Sequence, residues 1–253
     1  ANRRFVVKQE FGNNNNLRTT LSYNSGKLKG DWSINSAISY GKNDGWVDNL
    51  NSERFFYYLK LEKQLGKHHL SLSGFGAPQT SAQRGFVTTP VFTYSLSQAQ
   101  QLGMDTTGVV KYAYNRKYNP TWGYLRRKEG KNKNEQEVYR TNINQYHKPV
   151  FSLRDFWNVN DKFYITNMAY ASFGTGYGTQ LQGNADLVSG NTNGELDIQK
   201  EYDKNYNATP GGPTSIAPGL RRSENFLRKN YNEHAWYGTL STFSYNPSRK
   251  LEI

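Results

Sequence analysis

The chain has 253 residues, no cysteine, and 32 basic against 20 acidic side chains, which gives a formal net charge of +12. The missing cysteines exclude disulfides and thiolate metal sites, and no apolar run approaches the roughly 18 residues of a membrane-spanning helix. The basic excess indicates anionic neighbours such as nucleic acid, lipopolysaccharide phosphates or acidic sugars. Aromatic residues make up 15% of the chain, which suits either membrane-interface girdles or a carbohydrate-binding surface.

Alternation of apolar and polar residues predicts β-strands along much of the chain. The clearest example is a hairpin within residues 51–79, in which strand 55–62 enters a tight turn at 63–69 and leaves it as strand 70–76. Further strands are predicted at 4–11, 17–24, 31–41, 149–159, 163–173 and 234–245, and another begins at Leu251. A short helix is predicted at 97–102, with Ser97 as its N-cap.

The connections between these strands are short at one end and long at the other. The links 25–30, 63–69, 160–162 and 246–249 are short, whereas 77–144 and 174–233 are very long and polar. This asymmetry is typical of an outer-membrane β-barrel, with tight periplasmic turns and long extracellular loops. We therefore predict an all-β fold, an antiparallel transmembrane β-barrel, in which residues 1–253 form part of a single barrel domain and supply about eight or nine strands.

Two finer expectations follow from the barrel. In strand 17–24, Leu21 is predicted to face lipid and Thr20 to face the lumen. Both ends of the sequence lie next to strand-like segments, and no signal peptide precedes the first one. We therefore expect the chain to be an internal portion of a longer protein.

Several strand-to-loop segments have distinctive sequences. The run 39–48 (SYGKNDGWVD) ends a strand with a polar, Asp-Gly, aromatic pattern, and 74–79 (GFGAPQ) follows the next hairpin. With 146–153, 157–162 and 232–234, these segments resemble TonB-dependent outer-membrane receptors of the Bacteroidetes type. The resemblance implies a barrel of about 22 strands in the outer membrane, closed by an N-terminal plug and energised through a TonB box. It places the plug, the TonB box and the C-terminal strands outside this chain, and it leaves room for a surface lipoprotein partner.

No catalytic or metal-binding motif stands out. Asp44 and Asp48 flank a Gly-Trp pair, but spacing within a loop does not establish the paired acids of a glycosidase. His68 and His69 fall in a predicted tight turn without further ligands at metal spacing. The glycine-rich run 174–178 lacks the Lys-Ser/Thr ending of a phosphate loop and is interpreted as a flexible loop base. We predict a protein that is not an enzyme and that has no cofactor or resident metal.

The segment 111–133 interleaves aromatic and basic side chains. Such a surface can bind single-stranded nucleic acid, but in a barrel it is better explained as an outer loop facing lipopolysaccharide or gathering ligand. No nucleic-acid partner is therefore predicted. The candidate substrate contacts are Arg84, Trp122, Tyr124, Arg126 and Arg127. They could instead only pack and solvate the loops.

Three functions remain open from the sequence. The leading hypothesis is an outer-membrane receptor and transporter, in which long loops capture a substrate and TonB-dependent remodelling of the plug lets it pass. The second is a self-contained eight-stranded barrel with a binding or adhesive role. The third is a secreted β-sandwich that binds carbohydrate. A detergent requirement would separate the barrels from the sandwich, and a plug domain encoded upstream would separate the receptor from the small barrel.

Overall fold

The computed structural model describes residues 2–84, 96–104, 117, 119–131, 133–183, 196–209, 219–220 and 222–247. Twelve strands and two short helices are assigned within them. The strands are β1 (Arg4–Gly12), β2 (Asn16–Asn24), β3 (Trp32–Asn43), β4 (Ser52–Leu65), β5 (His68–Gly76), β6 (Gln79–Ala82), β7 (Trp122–Arg126), β8 (Gln136–Arg140), β9 (Ile143–His147), β10 (Val150–Asn160), β11 (Phe163–Gln182) and β12 (Phe226–Tyr245), and the helices are α1 (Leu96–Gln101) and α2 (Ile198–Tyr206). Neither helix is long and apolar enough to cross a membrane, and the described residues contain no other helix that is.

Ten of the strands form one antiparallel sheet, and β7 and β8 form a separate hairpin. Strand β4 pairs with β5 along one part of its length and with β6 along another, and β11 pairs in the same way with β10 and β9. Because β5 with β6 and β9 with β10 are each one interrupted strand, the ten strands occupy eight successive positions. The sequence prediction of about eight strands is therefore confirmed.

The two faces of this sheet have opposite compositions. Residues paired across neighbouring strands share a face, so Leu61, Leu72 and Leu153 form one row of an apolar face. Leu72 and Leu153 are 52% and 51% exposed, whereas Ser39 and Ser71 on the polar face are 5% and 6% exposed. Small polar side chains are buried and large apolar ones are exposed, which is the reverse of a soluble sheet.

The polar face is held together by hydrogen bonds between side chains of adjacent strands. The Thr20 hydroxyl donates to Ser39 Oγ at 3.1 Å, and Ser73 and Ser152 are bonded at 2.9 Å. The apolar face also carries side-chain hydrogen bonds, such as those from Thr19 to Gln9 and from Tyr40 to Glu53, but its large aromatic and aliphatic side chains lie outward. Leu21 lies on the apolar face opposite Val7, so the sequence assigned Leu21 and Thr20 to the correct sides of the strand.

The arrangement of the sheet argues against two of the three functions left open. Within the described residues, no second sheet packs on the apolar face, as a β-sandwich requires. Among the described strands, β1 and β12 each pair on one side only, and no pairing joins them. The sheet is therefore an open wall, whereas a self-contained eight-stranded barrel would be closed.

Several segments predicted as loop are strands. Strand β11 continues to Gln182 and β12 begins at Phe226, so each extends well past its predicted outer end at 173 and 234. The segment 77–144 contains β6, β7, β8 and the start of β9. The predicted helix at 97–102 is present as α1, one residue earlier. The glycine-rich run 174–178 is an internal part of β11 and is not a loop base.

The two adjacent histidines are also placed differently from the prediction. The turn is only Gly66 and Lys67, so His68 and His69 lie in β5 on opposite faces. On the apolar face, His68 stacks on Trp157 and its Nδ1 lies 3.0 Å from Asp155. On the polar face, His69 stacks on Phe156. These rings therefore pack against β10, and the prediction of a solvated turn is wrong.

Candidate functional site

One row of the polar face crosses all eight positions of the sheet near its long-loop end. The row begins with charged side chains on β1 and β2 and ends with a glycine and an amide on β11 and β12. Its members are Glu10, Arg18, Gly41, Arg54, Gln79, Tyr146, Gly176 and Asn232. Because glycine occupies two of these positions, the surface has two depressions where side chains would otherwise stand.

The first depression is a cavity of about 440 Å³ around Gly41. The guanidinium groups of Arg18 and Arg54 stand on either side of this glycine. Arg18 Nε donates to Ser39 Oγ at 3.0 Å and lies 3.9 Å from a Glu10 carboxylate oxygen. Two guanidinium groups against one carboxylate give this cavity a net positive charge, which suits an anionic group. Arg18 is two residues from Thr20 and therefore shares the side of the strand predicted to face the lumen, but the sequence did not identify it as a contact residue.

Above this row, segments from both long loops fold together. Backbone bonds join them: Leu196 N–H donates to the Trp122 carbonyl at 2.8 Å. The Lys128 N–H donates to the Tyr202 hydroxyl at 2.9 Å, and the Lys128 ammonium lies 2.8 Å from Asp203. We call the β7–β8 hairpin together with residues 196–206 the loop unit. Its two parts come from different loops but form one body.

The loop unit contains the one cluster of buried apolar residues found among the described residues. Leu125, Leu196 and Ile198 are each less than 7% exposed, and Tyr139, Leu181, and Tyr202 pack around them. Gly123 allows the close approach, because a Cβ there would lie 2.2 Å from the Leu196 carbonyl oxygen. Burying three aliphatic side chains contributes several kcal/mol, about 1.5–3 for each.

Four of the five predicted contact residues lie on β7 or directly after it, in the loop unit. Trp122, Tyr124 and Arg126 share the face opposite the buried cluster, and the rings of Trp122 and Tyr124 are in edge contact at 5.5 Å. Tyr124 and Arg126 are exposed and border a cavity of about 400 Å³. Arg127 is different, because its Nε lies 2.7 Å from Glu137 and its guanidinium covers the Tyr139 ring.

The fifth predicted residue, Arg84, lies outside the loop unit. It follows β6 at the base of the first long loop, and its Nε is buried with no hydrogen-bond partner among the described residues. Its neighbour Gln83 accepts a hydrogen bond from Thr121 at 2.8 Å. The structure therefore places Trp122, Tyr124 and Arg126 on one face of β7, Arg84 outside the loop unit, and Arg127 in a structural ion pair. Whether any of them touches a substrate stays a prediction.

Hydrogen bonding and burial shift the pKa values of three groups in or beside the loop unit. A hydrogen bond from Lys128 holds the pKa of the Asp203 carboxyl below its usual value. Burial raises the pKa of the Tyr139 hydroxyl, and burial lowers the pKa of the Arg140 guanidinium, which bonds to Asn49 of the β3–β4 loop. Among the described residues, no three histidine or acidic side chains converge as ligands for a metal ion.

An open antiparallel wall with an apolar outer face, a polar inner face and long structured loops at one end is part of a transmembrane β-barrel.

No family model matches the sequence, and no curated protein matches it. Two solved structures are similar, both of the ferric-catecholate import receptor Fiu from E. coli K12. The closed form is 15% identical with a TM-score of 0.55 and covers 96% of this chain; the open form is 14% identical with a TM-score of 0.55 and covers 94%.

The chain spans 29% and 30% of the length of those two receptor chains. The likeness shows that the fold is that of a portion of the β-barrel of these import receptors. The polar face of the sheet is accordingly the lumen side and the apolar face is the lipid side. The row from Glu10 to Asn232 thus lies on the lumen wall.

Proposed function

We propose that the protein is a TonB-dependent outer-membrane transporter, and not an enzyme, that takes up a substrate captured by its outer loops. The observation that supports this most is the likeness of almost the whole chain to the barrel of a receptor that imports ferric catecholates. The lumen wall adds a positively charged cavity at Arg18 and Arg54, where an anionic part of a substrate would bind. Trp122, Tyr124 and Arg126 would form an earlier contact surface on the loop unit.

The partners proposed for this transporter follow from its surfaces. Outer-membrane lipid and lipopolysaccharide would surround the apolar face, and the TonB complex would act on a region outside this chain. The Bacteroidetes-type assignment and a surface lipoprotein lid remain hypotheses that rest on the sequence resemblance alone. The proposal includes no nucleic-acid partner and no cofactor.

The proposal is tested by localisation and by energy-dependent uptake. Cell fractionation should recover the protein in the outer membrane. Untargeted mass spectrometry of spent medium should then find compounds that wild-type cells remove and that cells lacking either this gene or TonB leave behind. Complementation with the Arg18→Ala, Arg54→Ala double variant should slow this removal, whereas Thr166→Val on the same lumen face should not. Recovery of the protein in a soluble fraction, or removal that continues without TonB, would refute the proposal.

A further inference from the structure

Three alternate residues of β11 on the lumen side are glycines: Gly174, Gly176 and Gly178. Where a strand has no side chains, its bare backbone forms the floor of a groove. The His234 ring covers Gly174, because a Cβ there would lie 2.3 Å from the ring. Gly178 has no atom within 4 Å of a Cβ position, so the groove is open above it.

Side chains from the two neighbouring strands form the walls of this groove. Tyr146 of β9 stands on one side, and Asn232 and His234 of β12 stand on the other. The volume of this open groove is about 260 Å³, slightly below the usual range of about 300–1,000 Å³ for drug-sized ligands. The groove therefore suits a single ring.

The polar groups around the groove are mostly neutral. Asn144 and Asn232 present amide groups, each with donors and an acceptor at fixed angles. Lys148 is the one lysine among the described residues that line the groove. Its ammonium lies 4.9 Å from the centre of the Trp236 ring, so part of its charge already interacts with that ring. None of the described lining residues has a carboxylate, and Glu233 lies on the opposite face of β12.

An exposed aromatic ring beside these amides is a suitable surface for a sugar. Tyr146 is 44% exposed. The negative face of an aromatic ring attracts the polarised C–H groups on the flat side of a pyranose, and planar amides match its neighbouring hydroxyls. For an anionic ring, Lys148 is the cationic partner among the described lining residues, and its ammonium already lies over the Trp236 ring. The cavity around Gly41, two strands beyond β6, has the two guanidinium groups of Arg18 and Arg54 and suits an anion better.

We propose that the groove over Gly176 and Gly178 binds one pyranose ring of a neutral saccharide, with Tyr146 as the stacking face and Asn232 as a hydroxyl partner. This inference rests on the proposed function for its biological meaning, because it names a substrate class for the lumen of a transporter. The binding itself does not require transport, so the two can be tested apart.

The test uses the full-length protein purified in detergent. Binding is measured by isothermal titration calorimetry with hexasaccharides of glucose, mannose, galactose and N-acetylglucosamine. Gly178→Leu should fill the groove without a clash, since the site is open and its backbone is extended. We expect at least one hexasaccharide to bind to the wild-type protein. Gly178→Leu and Tyr146→Ala should each weaken that binding at least tenfold.

Ser22→Leu is the matched control, because it adds the same side chain to the lumen face of β2, far from the groove. Its affinity should equal that of the wild-type protein, and circular dichroism should show unchanged strand content in every variant. Absence of binding to all four hexasaccharides, or binding that Gly178→Leu leaves unchanged, would overturn the inference. A ferric catecholate whose binding is lost in Gly178→Leu, with no saccharide bound, would overturn the ligand class. Saccharide binding at the groove without TonB-dependent uptake would instead refute the proposed function alone.

Discussion

An arginine on the lipid face should destabilise the barrel far more than the exposure of the native residue suggests. Leu72 is 52% exposed and lies six residues beyond the turn glycine Gly66. At about 3.3 Å per residue and a tilt near 40°, it stands about 15 Å above the short turns. The hydrocarbon layer is about 30 Å thick, so Leu72 is expected near its midplane.

This position sets the size of the effect. Arginine at the midplane of a barrel costs about 2–4 kcal/mol, and we expect Leu72→Arg to lower the free energy of unfolding by that amount. In a soluble protein, a substitution at such an exposed site would change it by about 0.5 kcal/mol or less. Ser22→Arg is the control on the lumen face, and it should also change stability by about 0.5 kcal/mol or less.

The assay is reversible guanidinium unfolding of the full-length protein from lipid vesicles, followed by tryptophan fluorescence. The adjacent residues Leu21 and Thr20 provide an independent pair, and arginine should be costly at Leu21 and tolerated better at Thr20. If Leu72→Arg and Ser22→Arg unfold at the same guanidinium concentration, the assignment of the apolar face to lipid is wrong.

Two further predictions concern the loop unit. Gly123→Val should separate α2 from the hairpin, at a cost of about 1–3 kcal/mol, because its side chain would overlap the Leu196 carbonyl. Faster protease cleavage near α2 would reveal this, and a cleavage rate equal to that of the wild-type protein would contradict it. The Lys128–Asp203 pair should stabilise the unit by at most about 0.5 kcal/mol, since both side chains are partly exposed. As the pKa of Asp203 is lowered on folding, this contribution is present above the ordinary carboxyl pKa of about 3.9 and is lost as the pH falls through the lowered value. The hydrogen-exchange rate of the α2 amides, corrected for intrinsic rates, should therefore be constant from pH 5 to 8 in the wild-type protein. It should increase below about pH 4, and this increase should be absent in Asp203→Asn. An equal increase in Asp203→Asn would contradict the assignment of this pH dependence to Asp203.

The sequence was sufficient for the strands that cross the membrane. In a strand that crosses lipid, one face is apolar and the other is polar, so the alternation is strict. In β2, for example, Leu17 and Leu21 lie on the apolar face and Arg18 and Ser22 lie on the polar face. The polar residues of these strands were therefore expected to face the lumen. Arg18 was therefore visible as a lumen residue, but its meeting with Arg54 depends on strand register, which alternation alone does not fix.

The loop unit could not be predicted from the sequence. Its buried cluster joins Leu125 to Leu196 and Ile198 across a long separation in the chain, and each segment alone is too short and polar to show a pattern. Two of the predicted contact residues, Trp122 and Tyr124, were recognisable only because they are aromatic and near arginines in the sequence. Gly123 between them was the informative residue, since a glycine inside a strand indicates close backbone approach.

The errors in strand length contain information about the membrane. The predicted outer ends at 149, 173 and 234 lie side by side in the structure: Phe173 N–H bonds to the Pro149 carbonyl, and Gly174 pairs with His234. The predictions at 173 and 234 failed at one level of the sheet, the level at which β10 begins at Val150, because the constraint that produces alternation ends there. A strand needs about 9–11 residues to cross the bilayer, and β11 reaches that length at 171–173 of its 20 residues. The remaining half of β11 therefore stands outside the hydrocarbon, with water on its lumen side. Bare glycine backbone is tolerated in that half, and a groove floored by it is open to a water-soluble ligand.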